Sequence, residues 1–148
     1  MLVHRFIGLS EIKALLQEGV VRPLPENGRR CLYFFDSEEH ECPSYQLEYF
    51  YGVVGEIYSH NQRERYFFLI HCDIPEDRFQ VVCETYADPE GSWFDTIGVE
   101  ELHLFGEYRK ESVKAIELYS DHYFGFKLHS SYETIEEAYK FLKANNVD

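Results

Sequence analysis

The residues of this chain best placed to do chemistry lie in the stretch Gly98-Val-Glu-Glu-Leu-His-Leu-Phe-Gly-Glu-Tyr108. Its residues alternate as in a β-strand, which puts Val99, Glu101, His103 and Phe105 on one face and Leu102 and Leu104 on the other. Glu is depleted from strands, so the pair Glu100 and Glu101 at the expected strand start is an unusual placement. The long segment from Asp88 to Thr96, which holds Trp93, reads as a loop feeding straight into it. An acid carried on a rigid strand end beside such a loop is one way to build a site. A solvated strand start has the same composition. Trp93 reads as an anchor that pins the loop to the core rather than as a cover for a cleft. The other chemistry-bearing residues are Cys31, Cys42, Cys72 and Cys83, with His40 and His71 beside two of them, and their spacings match no zinc finger or knuckle. All four cysteines are therefore expected to be reduced, with no metal bound.

A chain of 148 residues is long enough for one core and is read as a single domain spanning 1–148. With 12 Tyr, 12 Phe and 1 Trp, much of that core should be packed rings. The net charge of −13 argues against a nucleic-acid backbone or an anionic membrane surface as partner. It leaves room for a small anionic ligand held in a local pocket. No apolar run approaches the roughly 20 residues of a membrane span, and Met-Leu-Val-His-Arg-Phe reads as a strand rather than a signal peptide. The expectation is a cytoplasmic protein.

The elements that must position these residues follow from periodicity and caps. Leu2 to Ile7 reads as a first strand, with Leu2, His4 and Phe6 on one face and Val3, Arg5 and Ile7 on the other. A first helix follows, with Ser10 as N-cap, Ile12, Leu15 and Leu16 as its apolar stripe and Gly19 as its stop. Cys31 to Phe35 is a second strand. Pro43 opens a second helix running to about His60 on the stripe Leu47, Phe50, Tyr51, Val54, Ile57 and Tyr58. Tyr66 to Ile74, nearly all apolar, is a central strand, and Arg78 to Ala87 another. Beyond the strand that carries Glu101, Arg109 to Tyr119 reads as a polar turn with a further strand or helical turn. Tyr123 to His129 is a late strand. A final helix starts at Thr134, with Thr134 and Glu137 at capping-box spacing and Ile135, Ala138, Tyr139 and Leu142 buried. Strands broken by a helix and then clustered late indicate an α+β fold.

Three segments, taken in order, resemble the ADP-ribosyltransferase fold. His4-Arg-Phe followed by Ser-Glu-Ile-Lys-Ala-Leu-Leu-Gln-Glu-Gly19 is similar to that family's first strand and helix. Leu32-Tyr-Phe-Phe-Asp-Ser37 before a helix is similar to its second motif. Glu101-Leu-His-Leu-Phe-Gly-Glu-Tyr, continuing to Ser112-Val-Lys-Ala-Ile116, is similar to its glutamate strand and the turn and strand that close the core. The likeness spans about residues 2–118. It implies a split, mostly antiparallel β core flanked by helices, here with an extra C-terminal helix.

The same resemblance implies the site. The family has a His-Tyr-Glu pattern and an Arg, Ser-Thr-Ser, Glu pattern. This chain lacks Ser-Thr-Ser, which favours the first, with His4 and Tyr33 as cofactor-binding residues. Tyr45 follows Tyr33 at a separation similar to that of the two nicotinamide-sandwiching tyrosines of the diphtheria-toxin-like branch. Glu101 is then the catalytic glutamate, with Glu100 as the alternative if the register slips by one. The implied chemistry uses NAD as substrate. Its nicotinamide–ribose bond breaks through an oxocarbenium-like state that a rigidly held carboxylate stabilises. ADP-ribose would pass to an acceptor such as a protein. Val99 stands where arginine-modifying branches carry Glu or Gln, so arginine is not the expected acceptor. His103 and Glu107 read as strand-face residues. Two other function classes compete: a non-catalytic binding module on the same fold and an acidic mimic of nucleic acid. The acids sit in several separate stretches rather than one, which gives the mimic little support.

Overall fold

The computed structural model describes residues 1–23, 31–38, 57–58, 65–87, 96–122 and 125–144. In chain order these form β1 (Leu2–Ile7), α1 (Leu9–Gln17), β2 (Val20–Val21), β3 (Leu32–Asp36), β4 (Ile57–Tyr58), β5 (Arg65–Asp73), β6 (Phe79–Ala87), β7 (Thr96–Leu104), β8 (Tyr108–Arg109), β9 (Val113–His122), β10 (Gly125–Tyr132) and α2 (Ile135–Ala144). The fold is α+β, and every strand pairing among the described residues is antiparallel. One sheet runs β10-β9-β5-β1-β3-β7-β6, with β4 added beside β5, and β2 pairs with β8 in a small second sheet. The expected split is not a gap in this path. The sheet narrows at β1–β3, where two residue pairs are in register, Val3 with Asp36 and His4 with Phe35.

Both described helices pack on one face of the sheet. Ile12 and Leu15 of α1 and Ile135, Ala138 and Leu142 of α2 join a core with Val3, Ile7, Phe34, Phe68, Ile70 and Leu102. Fully burying a Leu or Ile side chain contributes about 1.5–3 kcal/mol. Ile12, Leu15, Leu69 and Ile70 are 0 % exposed, so these elements are held chiefly by apolar burial. β5 is central, with neighbours on both sides, which is why its sequence is nearly continuous hydrophobe.

The helix ends differ from expectation at one point. Gly8, not Ser10, takes the N-cap position of α1, and no side chain caps it. Ser10 is already inside the helix. At the other end Gly19 adopts φ of 71° and its N–H reaches the carbonyls of Ala14 and Leu15, a left-handed stop that glycine adopts without a Cβ penalty. At α2 the Glu137 N–H donates to Thr134 Oγ1 at 3.2 Å, while the Glu137 carboxylate accepts from the Glu133 N–H at 3.3 Å. That is a capping box displaced by one residue on its return bond.

Other boundaries also shift. β7 begins at Thr96, so Glu100 and Glu101 sit in mid-strand rather than at its start. β-branched Thr96 and Val99 extend the pairing with β6 back through Gly98, which faces Thr85. The end of the expected second helix is corrected as well: Ile57 and Tyr58 form β4, paired with Tyr66 and Arg65. The rest of that helix, the 88–95 loop with Trp93, and Tyr45 lie outside the described residues. Arg109 to Tyr119 resolves into β8, a turn at Lys110–Ser112 and the first part of β9.

Arg5 locks α1 to the sheet on the helix face. Its Nε donates to Glu11 Oε2 at 3.1 Å, one terminal nitrogen donates to the Tyr33 carbonyl at 2.9 Å, and the other sits in close contact with Glu11 Oε1. The Tyr108 hydroxyl also donates to Glu11 Oε2, at 3.0 Å. Burial alone would favour neutral Arg5, but the Glu11 carboxylate overrides it and holds the guanidinium charged. Burial, reinforced by Glu11, pushes the Tyr108 phenol well above its ordinary range.

Candidate functional site

Alternation along β1 sends Arg5 to the helices and His4 to the opposite face of the sheet. The pairings of the neighbouring strands then fix what shares that opposite face. His4 lies across from His71 of β5 and from Phe35 of β3. Tyr33 lies across from His103 of β7, and Glu101 lies across from Val82 of β6. Continuing the β3–β7 register by one residue places Phe35 level with Glu101. A crosswise row therefore reads His71, His4, Phe35, Glu101, with Tyr33 and His103 in the adjacent row. Strands lie about 4.8 Å apart, so His4 and Glu101 are separated by roughly 10 Å, with Phe35 between them.

Three of the residues expected in the site, His4, Tyr33 and Glu101, thus stand on one face, and Glu100 on the other. Tyr45 is outside the described residues. Glu101 is 3 % exposed and its carboxylate is 2.9 Å from His103 Nε2. Residues two apart on a strand share a face, which brings these two side chains together. His103 in turn meets the ring of Tyr33, with centroids 4.8 Å apart and planes at 77°. Tyr33, His103 and Glu101 form one contact chain across β3 and β7.

His4 belongs to a second group. It is 2 % exposed, its Nδ1 lies 3.1 Å from Ser37 Oγ, and its ring stacks on Phe35 at 5.7 Å. The His71 ring is 6.1 Å away. His71 makes a close contact with Glu117 through Nε2, and the Tyr119 hydroxyl donates to the other Glu117 oxygen at 3.1 Å. This His71–Glu117–Tyr119 group was not anticipated from sequence. His71 and Glu117 stand 46 positions apart, and only the β5–β9 register, which sets Glu117 across from Leu69, brings them together. The one signal available beforehand was alternation, which places His71 on the His4 side of the central strand.

Among the described residues the face therefore carries two carboxylate–histidine pairs, one on β7 and one on β5–β9, flanking a strip of His4, Phe6, Phe35 and Leu69. Phe6, Phe35 and Leu69 are all at most 5 % exposed. Such pairs hold a carboxylate in a fixed orientation and keep an imidazole in hydrogen-bond contact, which suits stabilisation of positive charge and proton transfer. Among the described residues no group of three or more His, Cys, Asp or Glu is arranged to hold a metal ion. His40 and Cys42 lie outside the described residues. Cys31, Cys72 and Cys83 are free thiols. Burial pushes the Cys72 thiol up to about 12, so it is a packed hydrophobe rather than a nucleophile.

The remaining candidates are engaged at the surface. Glu107 pairs with Arg22 and Arg109, each at 3.1 Å, and its backbone carbonyl accepts from Arg78. Arg22 also approaches Glu18 at 3.7 Å. No helix among the described residues is long and apolar enough to cross a membrane. Comparison with protein-family profiles, curated proteins and solved structures finds no match to this chain.

Proposed function

We propose that this chain is an ADP-ribosyltransferase-like protein that binds NAD across the β1–β3–β7 face and uses Glu101 in transfer of ADP-ribose to an acceptor. The observation that carries this reading is the shared face of His4, Tyr33 and Glu101, from which Arg5 and Glu100 turn away. In this reading Glu101, oriented by His103, sits beside the ribose. Its negative charge, in a site shielded from water, stabilises the positive charge that develops as nicotinamide departs. Tyr33 packs against the nicotinamide ring, and His4, steadied by Ser37, contacts the other half of the dinucleotide. The roughly 10 Å between His4 and Glu101 suits an extended ligand that touches both rather than a single small ion.

A second reading, a non-catalytic binding module on the same fold, is favoured by a different observation. His4 is 2 % exposed, and Phe35 and Glu101 are each 3 % exposed. A dinucleotide reaches them only if this face opens. Calorimetric titration of NAD into the wild type and Tyr33→Ala separates the two readings. The transferase reading expects wild-type binding that weakens at least tenfold in the variant, which corresponds to about 1.4 kcal/mol. Absence of binding to a folded wild type overturns it and leaves the binding module.

A further inference from the structure

The two ends of the long sheet are built differently. At one end β10 is blunted. Its register with β9 shifts between Leu128 and Ser130, it carries Lys127, and α2, which follows it, packs against both β9 and β10. Bulges, lysines and covering helices are the devices by which proteins keep a sheet edge from pairing with another chain. At the other end β6 shows none of them among the described residues. Its pairing with β7 runs without interruption from Phe79–Leu104 to Ala87–Thr96. Its sequence, Phe-Gln-Val-Val-Cys-Glu-Thr-Tyr-Ala, contains no Pro, no Lys and one charged residue, Glu84. No described strand lies on its outer side. Val81 is 59 % exposed, and Gln80, Cys83 and Thr85 are exposed too.

We infer that β6 is the self-association edge of this protein, pairing antiparallel with β6 of a second copy about a two-fold axis that passes through Cys83. The axis follows from backbone geometry. In an antiparallel pair, the residues whose N–H and C=O point outward alternate along the strand, and such residues must face one another. A two-fold pairing of identical strands is therefore centred on a residue that faces its own copy. In a strand running from Phe79 to Ala87, only the centre at Cys83 pairs every residue. Phe79 then faces Ala87 of the second copy, and Val81 faces Thr85, a β-branched pair of the kind that stabilises sheets. Glu84 faces Val82 of the second copy rather than itself, so the strand's single charge does not oppose its like. The chain's net charge of −13 works against association at long range, and added salt screens that repulsion. Cys83 directly opposite Cys83 places the two Cα atoms about 4.5–5.5 Å apart, inside the range that a disulfide spans.

Sedimentation equilibrium of the full chain under reducing conditions tests this, together with oxidation by diamide, which takes up the two thiol hydrogens as the sulfurs join. The expected result is a concentration-dependent dimer that strengthens with salt and is trapped covalently by diamide. Cys83→Ser should lose the covalent link yet still dimerise when reduced. Val81→Lys should be monomeric with an unchanged circular-dichroism spectrum, and Thr85→Lys serves in its place if that variant misfolds. A wild type that sediments as a monomer at every concentration overturns the inference. So does a dimer that both lysine variants leave intact, or a covalent dimer that persists in Cys83→Ser.

Discussion

Strand β1 sends two basic side chains in opposite directions, and the two faces they enter use charge differently. On the helix face, Arg5 meets Glu11, Tyr108 and the Tyr33 carbonyl in an otherwise apolar layer. Each partner answers another, and the network ties α1 to the sheet. On the other face, His4, His71 and His103 are shared among Ser37, Glu117 and Glu101, groups that lie next to aromatic rings across several strands. Arg5 carries a permanent charge, which suits a fixed anchor, whereas an imidazole can both donate and accept a hydrogen bond. The contrast teaches that a buried polar group is not by itself a sign of function. What distinguishes the His4 face is that several groups able to take part in chemistry lie within a few strands of one another.

The largest expected effect breaks the anchor. Arg5→Met leaves the Glu11 carboxylate without its cation, and removing one partner of a buried pair costs about 3–5 kcal/mol. Chemical denaturation should show that loss, with little change in any ligand binding by the opposite face beyond the fraction unfolded. Next is an alkaline limit on the helix face. The Cys72 thiol is raised from 9.0 to about 12 by burial, so the folded state holds this proton more tightly than the unfolded chain. Its contribution is present in full below about pH 9 and is lost as pH rises toward about 12. Stability measured across that window should decline less steeply in Cys72→Ala.

Smaller effects sharpen the comparison. His71→Gln on the half-exposed part of the polar face should cost about 1 kcal/mol, the scale of one hydrogen bond, because Tyr119 still serves Glu117. A loss as large as that of Arg5→Met would make this face a structural core like the other. Thr134→Ala removes the α2 cap and should cost about 1 kcal/mol in the same denaturation assay. Ser10→Ala, by contrast, should leave stability unchanged or raise it by about a few tenths of a kcal/mol, because Ser10 lies inside α1 and Ala is the better helix former.

How much of this was legible in the sequence varies with the range of the interaction. The alternation of β1, the apolar run of β5, the Gly19 stop and the Thr134 cap are local patterns, and each is found at or within a few residues of its expected place. The choice between His4 and Arg5 for the far face could also be framed from alternation alone. The start of β7 was not legible, because Thr96 reads as the end of the loop and Gly98, which follows, has no side chain to carry the alternation. In the fold Gly98 is paired with Thr85 of β6, and an added Cβ would meet Cys83 Sγ at 3.5 Å. The Ser10 cap was misplaced because Gly8, with no side-chain oxygen, offers no capping signal. The His71–Glu117 pair depends on which strands become neighbours, and no local pattern carries that information. The continuous sheet path through β1 and β3 is hidden for the same reason.

In the proposed function, Glu101 is the charge that matters on the His4 face. The most direct test of that role is nicotinamide release from NAD, measured side by side for the wild type, Glu101→Gln and Glu100→Gln, with melting curves on all three. Glu101→Gln preserves shape and can still accept a hydrogen bond from His103, so folding and NAD binding should survive. Its release rate should fall on the order of a hundredfold or more, while Glu100→Gln, whose side chain lies on the opposite face, stays close to wild type. Release from Glu101→Gln at the wild-type rate would contradict that role.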